Sequence, residues 1–430
     1  MSSMSLNNRK FMLADANSFY AESERVMRPD LRGKPIVVLS NNDGCVIAQS
    51  KEAKAILELY MCKPWFEVEH EAKKLGVTAF SSNYELYANM STRFMDTLKP
   101  FAPRQEVYSI DESFLDVTGM NKDFVAYGHL IKDTVLRWTG LPICVGTAST
   151  KTLAKLANHC AKKQAHFNGV CDFTSINESE LNAMLEMLPL EKVWGIGKRL
   201  EARLNALGVH NVLRLKRANL KRIRDEFGVV LERTIIELNG EAWLDLEESL
   251  PEAKEVMSSR SFGSRVESIA EMAEAISYHA SNACNRMRKR GLYAGGVYVF
   301  MQNSPFDQAE FKPLNAAIVL PSPTDDTMQI NRAALWMAKK MFKEDVYYQK
   351  AGVMLTNLVP AQGQQTDLFG FTIGQDKSTN LMNTLDSINN KYSKGTIKLA
   401  SEGINKAWVM RRSFRSPNYT GSWSELPVAK

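Results

Sequence analysis

The sequence predicts a multidomain α+β protein, and three observations carry that expectation. A chain of 430 residues is too long for one ordinary hydrophobic core, so about two to four domains are expected. The first 170 or so residues mix β-branched runs with helical patterns, whereas from about residue 175 the texture is purely helical and polar. From residue 256 strands and helices alternate again in the order βαββαβ, which is the element order of a split-βαβ unit.

The apolar run Phe11-Met12-Leu13-Ala14 reads as a strand, followed by a turn and a helix from about Asn17. Pro35-Ile36-Val37-Val38-Leu39 and Cys45-Val46-Ile47-Ala48 are joined across Asn41-Asn42-Asp43-Gly44, a strong hairpin signal. Residues 49–75 read as Lys-rich helix, interrupted by Lys63-Pro64-Trp65. A second hairpin runs from Val107 to Val117 and turns near Asp111 and Glu112. A strand at 141–145 leads into a basic helix from Thr150 to Lys163. The helical block holds Leu181–Leu188, Arg199–Leu207 and Leu220–Leu238, with Trp194-Gly195-Ile196-Gly197-Lys198 between helices. After a charged linker at 247–255 come a strand (256–261), a helix (267–290), strands at 292–302 and 315–320, a helix (328–342) and a strand (350–357). Residues 361–430 are rich in Gly, Ser and Asn, and a flexible start to this tail is expected.

Composition narrows the class without naming it. Hydrophobic residues make up 44% and charged residues 24%, the balance of an ordinary globular protein. Lys and Arg total 54 against 48 Asp and Glu, a net +6 that is compatible with a polyanionic partner and does not require one. The six cysteines form no CxxC pair and no zinc-type spacing with the six histidines, so they read as reduced thiols. No apolar run approaches the ~20 residues of a membrane span, and no signal-peptide core opens the chain. A cytoplasmic protein is expected.

The chemistry concentrates in two acidic signals. Asp15 ends the first apolar strand, and Asp111-Glu112 sits inside Val107-Tyr108-Ser109-Ile110 and Ser113-Phe114-Leu115. Carboxylates at the tips of hydrophobic strands are costly unless neutralised. If the strands are neighbours, three carboxylates converge and divalent cations become the obvious counter-charge, suited to phosphoryl transfer. Asp15 as a helix cap and Asp111-Glu112 as turn residues remain open on spacing alone. Lys51 and Lys54, then Lys151, Lys155, Lys162 and Lys163, put cations on helices flanking this point, with solvated helix faces as the alternative. Gly195-Ile196-Gly197, with Lys198-Arg199 following, resembles the turn of a helix-hairpin-helix that grips a DNA phosphate; a plain tight turn is the alternative. Arg286, Arg288 and Arg290 end a long helix beside a strand, placed either for duplex backbone contact or for the helix dipole. In the tail, Gln365, Leu368 and Phe369 belong to a short polar segment with an apolar pair, a motif suited to a partner's groove or to folding back on its own chain.

With these residues in place, the chain resembles a Y-family, lesion-bypass DNA polymerase. The resemblance runs from about Phe11 to Thr420. It rests on the blocks 15–20 (DANSFY), 40–48 (SNNDGCVIA), 81–88 (SSNYELYA), 108–112 (YSIDE), 150–159 (TKTLAKLANH), 193–197 (VWGIG), 259–263 (SRSFG) and 350–355 (KAGVML). It implies a right-hand polymerase: a ferredoxin-like palm (9–30 and 80–172), small fingers (31–79), a helical thumb with a helix-hairpin-helix (173–246), a βαββαβ little finger (253–358) and a C-terminal tail (359–430). It implies two Mg2+ ions on Asp15, Asp111 and Glu112 with the Ala16 carbonyl helping, and Tyr20 as a steric gate against the ribose 2′-hydroxyl. Phe19 beside it reads as core. Lys51, Lys54 and Lys162 fall to the triphosphate, and Gly195, Gly197, Lys198, Arg286, Arg288 and Arg290 to DNA. Gln365, Leu368 and Phe369 match a sliding-clamp motif in which Thr366 replaces a more usual apolar residue.

The chain departs from the family at two places. Lys51 and Lys54 stand where many members have Tyr and Arg, and 55–62 (AILELYMC) is longer and lacks the family's glycine-containing turn, which restricts the backbone there. The implied activity is error-prone translesion synthesis on primer-template DNA with dNTPs, in SOS mutagenesis and DNA repair. The implied partners are a UmuD-type processed accessory protein, the RecA filament and the β sliding clamp. A non-catalytic DNA-binding scaffold that slows replication is the alternative from another class, and it could dispense with the carboxylates. A nucleotide cyclase built on a similar palm would need neither the thumb hairpin nor the clamp-like motif.

Overall fold

Strand β1 (Phe11–Ala16) is hydrophobic along its whole length and lies in the interior of a five-stranded sheet, with Phe11, Met12, Leu13 and Ala14 fully buried. The computed structural model describes residues 9–57, 60–247, 253–307, 310–361, 375–393, 395–404 and 408–426. These form two compact units. One takes the residues up to 247, apart from Asn41–Asp43, together with 414–426; the other takes 253–413 with Asn41–Asp43. Among the described residues no helix is long and apolar enough to cross a membrane.

In the first unit β1 leads to α1 (Phe19–Met27) and then to β2 (Ile36–Leu39) and β3 (Val46–Gln49). The expected hairpin forms: β2 and β3 pair antiparallel across a turn in which Asn42 and Asp43 take left-handed backbone. Helices α2 (Lys51–Leu57) and α3 (Trp65–Lys74) follow, broken at Pro64 as expected, and β4 (Thr78–Ser81) closes a small sheet of order β3-β2-β4. Within the 55–62 stretch that lacks glycine, Cys62 is forced to φ +65°, a conformation glycine would take without strain. Helix α4 (Tyr84–Leu98) is capped by Asn83 and precedes β5 (Arg104–Val107) and β6 (Glu112–Asp116). The second hairpin thus starts three residues earlier than its sequence pattern suggests, because Arg104 and Gln105 pair with Asp116 and Leu115 despite being polar. Helix α5 (Phe124–Thr139), β7 (Ile143–Ala148), α6 (Lys151–Lys163) and β8 (Val170–Asp172) complete the sheet in the order β5-β6-β1-β7-β8. Its first four strands are antiparallel neighbours, the ferredoxin-like arrangement expected, with β8 added in parallel.

The helical block contains α7 (Glu178–Met187), α8 (Lys198–Ala206), α9 (Val212–Lys216), α10 (Leu220–Phe227) and α11 (Val229–Leu238). One long helix over 220–238 is not formed, since Gly228 at φ +86° ends α10 and starts α11. This block shares a core with the sheet through Phe11, Leu13, Leu156, Leu204 and Leu231. The buried Glu237 carboxylate pins it to the start of α6, accepting from the Thr152 N–H and hydroxyl (3.0 and 2.7 Å) and from the Trp243 and Leu244 N–H groups.

The second unit has β9 (Val256–Val266), α12 (Ile269–Arg288), β10 (Leu292–Gln302), β11 (Pro313–Thr324), α13 (Thr327–Met341) and β12 (Tyr348–Pro360). The βαββαβ order is as expected, and every neighbouring pair is antiparallel in the sheet order β11-β10-β12-β9. Here β12 separates β9 from β10, whereas β6 separates β1 from β5 in the first unit, so one element order yields two different sheets. A further helix, α14 (Gln375–Tyr392), lies in a region for which the sequence pattern gives no element. Its polar composition hides it; Met382, fully buried, and Asp386 attach it to the unit.

Candidate active site

The register of β1 and β6 answers the question that spacing left open. Asp15 stands directly opposite Glu112, and the Ala16 N–H donates to the Asp111 carbonyl at 2.9 Å. Asp15, Ala16, Ser18, Phe19, Tyr20, Gln49, Lys54, Asp111, Glu112 and Lys162 line one cleft of about 360 Å³. The turn before Asp111 is shaped by Ser109, whose hydroxyl donates to Asp111 Oδ1 (2.7 Å) and accepts from the Glu112 N–H (3.0 Å).

Helix α6 supplies the counter-charge. Lys151, Lys155 and Lys162 share a face at spacings of four and seven, and they meet three successive strands. Lys151 pairs with Glu106 of β5 (2.6 Å), Lys155 with Glu112 of β6 (2.9 Å) and Lys162 with Asp15 of β1 (2.5 Å). The helix comes this close because β7 carries Gly146, where a Cβ would stand 2.2 Å from the Asn158 nitrogen. Asn158 then bonds the Leu13 and Cys144 carbonyls at 3.2 and 2.9 Å. Lys155 also lies over the rings of Tyr108 (4.3 Å) and Trp194 (5.5 Å). Lys163 is exposed and does not line the cleft. The four- and seven-residue spacing was available in the sequence as the signal for this ladder.

Burial pushes the Asp15 carboxyl up to about 6, with Glu112 and Asp111 adding to the rise and Lys162 opposing it. The folded chain therefore holds that proton more tightly than an unfolded one, so this group's contribution to stability falls as pH rises from 3.8 through about 6. Among the described residues no three Asp, Glu, His or Cys side chains already form an ion cage. Two of the three carboxylates are instead held by lysines. The donor set nevertheless suits a hard divalent cation: three carboxylates at adjoining strand ends, in a cleft where burial makes their negative charge costly. A cation must compete with a proton at Asp15. The midpoint for binding a divalent cation such as Mg2+ is expected to rise several-fold between about pH 7.5 and about pH 5.5. Calorimetric titration of the chain with Mg2+ at both pH values checks this, and an unchanged midpoint separates Asp15 from cation binding.

Tyr20 lies in the first turn of α1, just after Ser18, which adopts φ +49°. Its ring stacks on Tyr87 (centroids 4.5 Å apart, 21° between planes) and meets the edge of Tyr84 at 6.3 Å. Phe19 is buried in the core, as expected. Lys54 reaches the same wall, donating to Ser18 Oγ at 2.9 Å, and burial with Lys162 and Lys163 nearby lowers its pKa. Lys51 is exposed and does not line the cleft.

Gly195 has φ +86°, and Gly197 is the N-cap of α8, so Lys198 opens a helix whose first N–H groups have no side-chain cap. Arg286 and Arg290 are exposed. Arg288 is not: its guanidinium bonds both Asp386 oxygens (2.7 and 2.9 Å), the Asp325 carbonyl and Thr327 Oγ1. Arg288 is therefore not the DNA contact expected of it, because residues two apart on a helix lie on opposite faces, so Arg288 turns inward where Arg286 turns out. It fastens α14 to α12. Arg288→Ala should lower unfolding free energy by about 3 kcal/mol, the cost of stranding a buried partner. Chemical denaturation of the full chain measures it. Gln365, Leu368 and Phe369 lie outside the described residues.

The fold has known counterparts. A solved structure titled as a Y-family DNA polymerase chimera superposes with a TM-score of 0.64, at 21% identity, over 82% of this chain and 99% of its own. The fold is that of the Y-family DNA polymerases. Models of the impB/mucB/samB family match residues 14–159, its C-terminal domain 253–368, and its helix-hairpin-helix motif 178–209; a domain of unknown function matches 379–429. Protein UmuC of Salmonella typhimurium is 45% identical over 97% of this chain and 99% of its own length, and protein ImpB of Salmonella typhimurium 43% over 98% and 99%. The chain belongs to the impB/mucB/samB family of UmuC-like proteins.

Proposed function

We propose that this chain extends a primer 3′ end opposite damaged template bases, as the error-prone polymerase of SOS mutagenesis and DNA repair. It is a DNA-directed DNA polymerase of the Y-family class. One observation carries the reading: Asp15, Asp111, Glu112, Tyr20, Lys54 and Lys162 meet in a single cleft on that fold. Asp15, Asp111, Glu112 and the Ala16 carbonyl would hold two Mg2+ ions, which supply activation of the primer hydroxyl and charge at the departing pyrophosphate.

The remaining work falls to side chains of this protein. Lys162 and Lys54 bind the triphosphate, Lys162 exchanging the Asp15 carboxylate for a phosphate oxygen. Lys51, exposed at the start of α2, contributes from outside the cleft by long-range attraction. Tyr20 excludes the ribose 2′-hydroxyl by occupying its space. Gly195, Gly197 and Lys198 grip a DNA phosphate at the α8 N-terminus, and Arg286 and Arg290 add backbone charge. The palm (9–30 and 80–172), fingers (31–79), thumb (173–246) and little finger (253–358) divide these tasks. Gln365, Leu368 and Phe369 of the tail dock a β sliding clamp, and a UmuD-type processed protein and the RecA filament complete the assembly.

Addition of one dNTP to a labelled primer on an undamaged template tests the reading. A primer longer by one templated nucleotide is expected. DNA binding without extension, with Mg2+ and all three partners present, favours the scaffold.

A further inference from the structure

From Phe414 the chain belongs to the first unit, and Tyr419 joins the core against which Tyr20 packs. Phe414 pairs with Ser81 at the end of β4, donating its N–H to Ser81 Oγ and accepting from the Ser81 N–H, both at 3.0 Å. Its ring meets the edge of Trp65, with centroids 6.2 Å apart. Five residues later Tyr419 is buried in the same core as Phe19, Tyr87 and Met90. Between these anchors Ser416 is buried, and its hydroxyl joins a network of side chains.

That network runs from the tail to the ring of Tyr20. Asn83 Nδ2 donates to Ser416 Oγ at 2.9 Å, and the Ser416 hydroxyl donates to Glu24 Oε1 at 3.2 Å. The same carboxyl oxygen accepts from the Tyr87 hydroxyl at 2.9 Å. The Tyr87 ring, fully buried, is the face on which Tyr20 stacks. Glu24 lies one helical turn after Tyr20 on α1, and Asn83 caps the helix that carries Tyr84 and Tyr87. Three pieces of chain distant in sequence are thus tied at one carboxyl. Burial pushes that carboxyl up to about 7, and its second oxygen has no hydrogen-bond partner among the described residues. Glu24 therefore depends on the two hydroxyls that reach its first oxygen.

We propose that the segment 414–419 belongs to the sugar-selecting apparatus, with Ser416 acting through Glu24 and Tyr87 to hold the Tyr20 ring at a fixed height in the cleft. This inference rests on Tyr20 being the steric gate, and it gives a role to part of the domain of unknown function matched at 379–429. A stacked ring blocks a hydroxyl only as well as the surface behind it resists displacement. Tyr87 cannot retreat while its hydroxyl is bound, and Glu24 cannot turn away while Ser416 holds it against Asn83. Ser416, Glu24 and Tyr87 are positioning residues: none of them lines the cleft.

The test compares kcat/KM for a dNTP and the matching rNTP, opposite one template base, using the full chain with Mg2+ and its accessory proteins. Ser416→Ala and Tyr87→Phe should each lower the dNTP-over-rNTP ratio about five- to tenfold, the effect of one lost buried hydrogen bond. The change should appear as a lower KM for the rNTP, with kcat for the dNTP nearly constant. Ser416→Thr, which restores the hydroxyl, should behave as the parent chain. In a Tyr20→Ala background, Ser416→Ala should have no further effect on the ratio. If Ser416→Ala fails to fold, Tyr87→Phe decides the matter, since it keeps the stacked ring. Parental ratios in both single variants, beside a lost ratio in Tyr20→Ala, overturn the inference and leave the gate standing. An additive effect in the double variant also overturns it. A parental ratio in Tyr20→Ala overturns the gate itself.

Discussion

Replacing Asp111 and Glu112 together by alanine should reduce primer extension by about 10³-fold or more, the loss of several kcal/mol of transition-state stabilisation. The β1–β6 register sets Asp15 against Glu112, and the Ala16 N–H bonds the Asp111 carbonyl, so all three acidic residues address one point. The same substitution frees Lys155, which now spends its charge on Glu112. The fold itself should survive, because both carboxylates stand at the mouth of the sheet while the core lies among Leu13, Phe114 and Leu156. Single-turnover extension on a matched template, alongside a thermal melt, separates lost chemistry from lost structure. Extension at the parental rate would mean that the cation site has been placed wrongly.

Tyr20→Ala should raise ribonucleotide incorporation by roughly 10²-fold relative to deoxynucleotide, with deoxynucleotide insertion little affected. Exclusion of a hydroxyl is a steric effect, and alanine removes the whole ring. Tyr20 is partly buried on the cleft wall and backed by buried Tyr87, which is where a proposed steric barrier would stand. Tyr20→Phe keeps the ring and should keep the selectivity. Competition between labelled dNTP and rNTP in one reaction reads the ratio directly, and equal ratios in Tyr20→Ala and the parent chain would remove Tyr20 from sugar choice.

Most strands were legible because their apolar runs are long and their turns carry Asn, Asp or Gly. The β2–β3 hairpin and the strand bearing Asp15 follow directly from that pattern. Convergence of Asp15 with Asp111 and Glu112 was not legible from spacing, since register is a tertiary property that only pairing defines. The resemblance to a polymerase family supplied it. What stayed hidden has physical reasons. Strand β5 begins with Arg104 and Gln105, polar residues that carry no strand signal. Helix α14 is amphipathic only weakly and reads as loop. Arg288 looked like its basic neighbours, and its role follows from Asp386, nearly a hundred positions away in sequence. The network under Tyr20 joins residues 24, 83, 87 and 416, and no local pattern announces such a contact. The alternation of Lys151, Lys155 and Lys162 on one helix face is different. It was visible, and only the strand order β5-β6-β1 gave it meaning.

The reaction proposed for this cleft is phosphodiester-bond formation across from damaged bases. Extension of a primer through a single abasic site, with the full chain, Mg2+, dNTPs and the three accessory partners, tests it most directly. Products that pass the lesion are expected from the parent chain and are absent with Asp111→Ala/Glu112→Ala. Products that stop one nucleotide before the lesion in both proteins, under conditions where an undamaged template is copied, would contradict it.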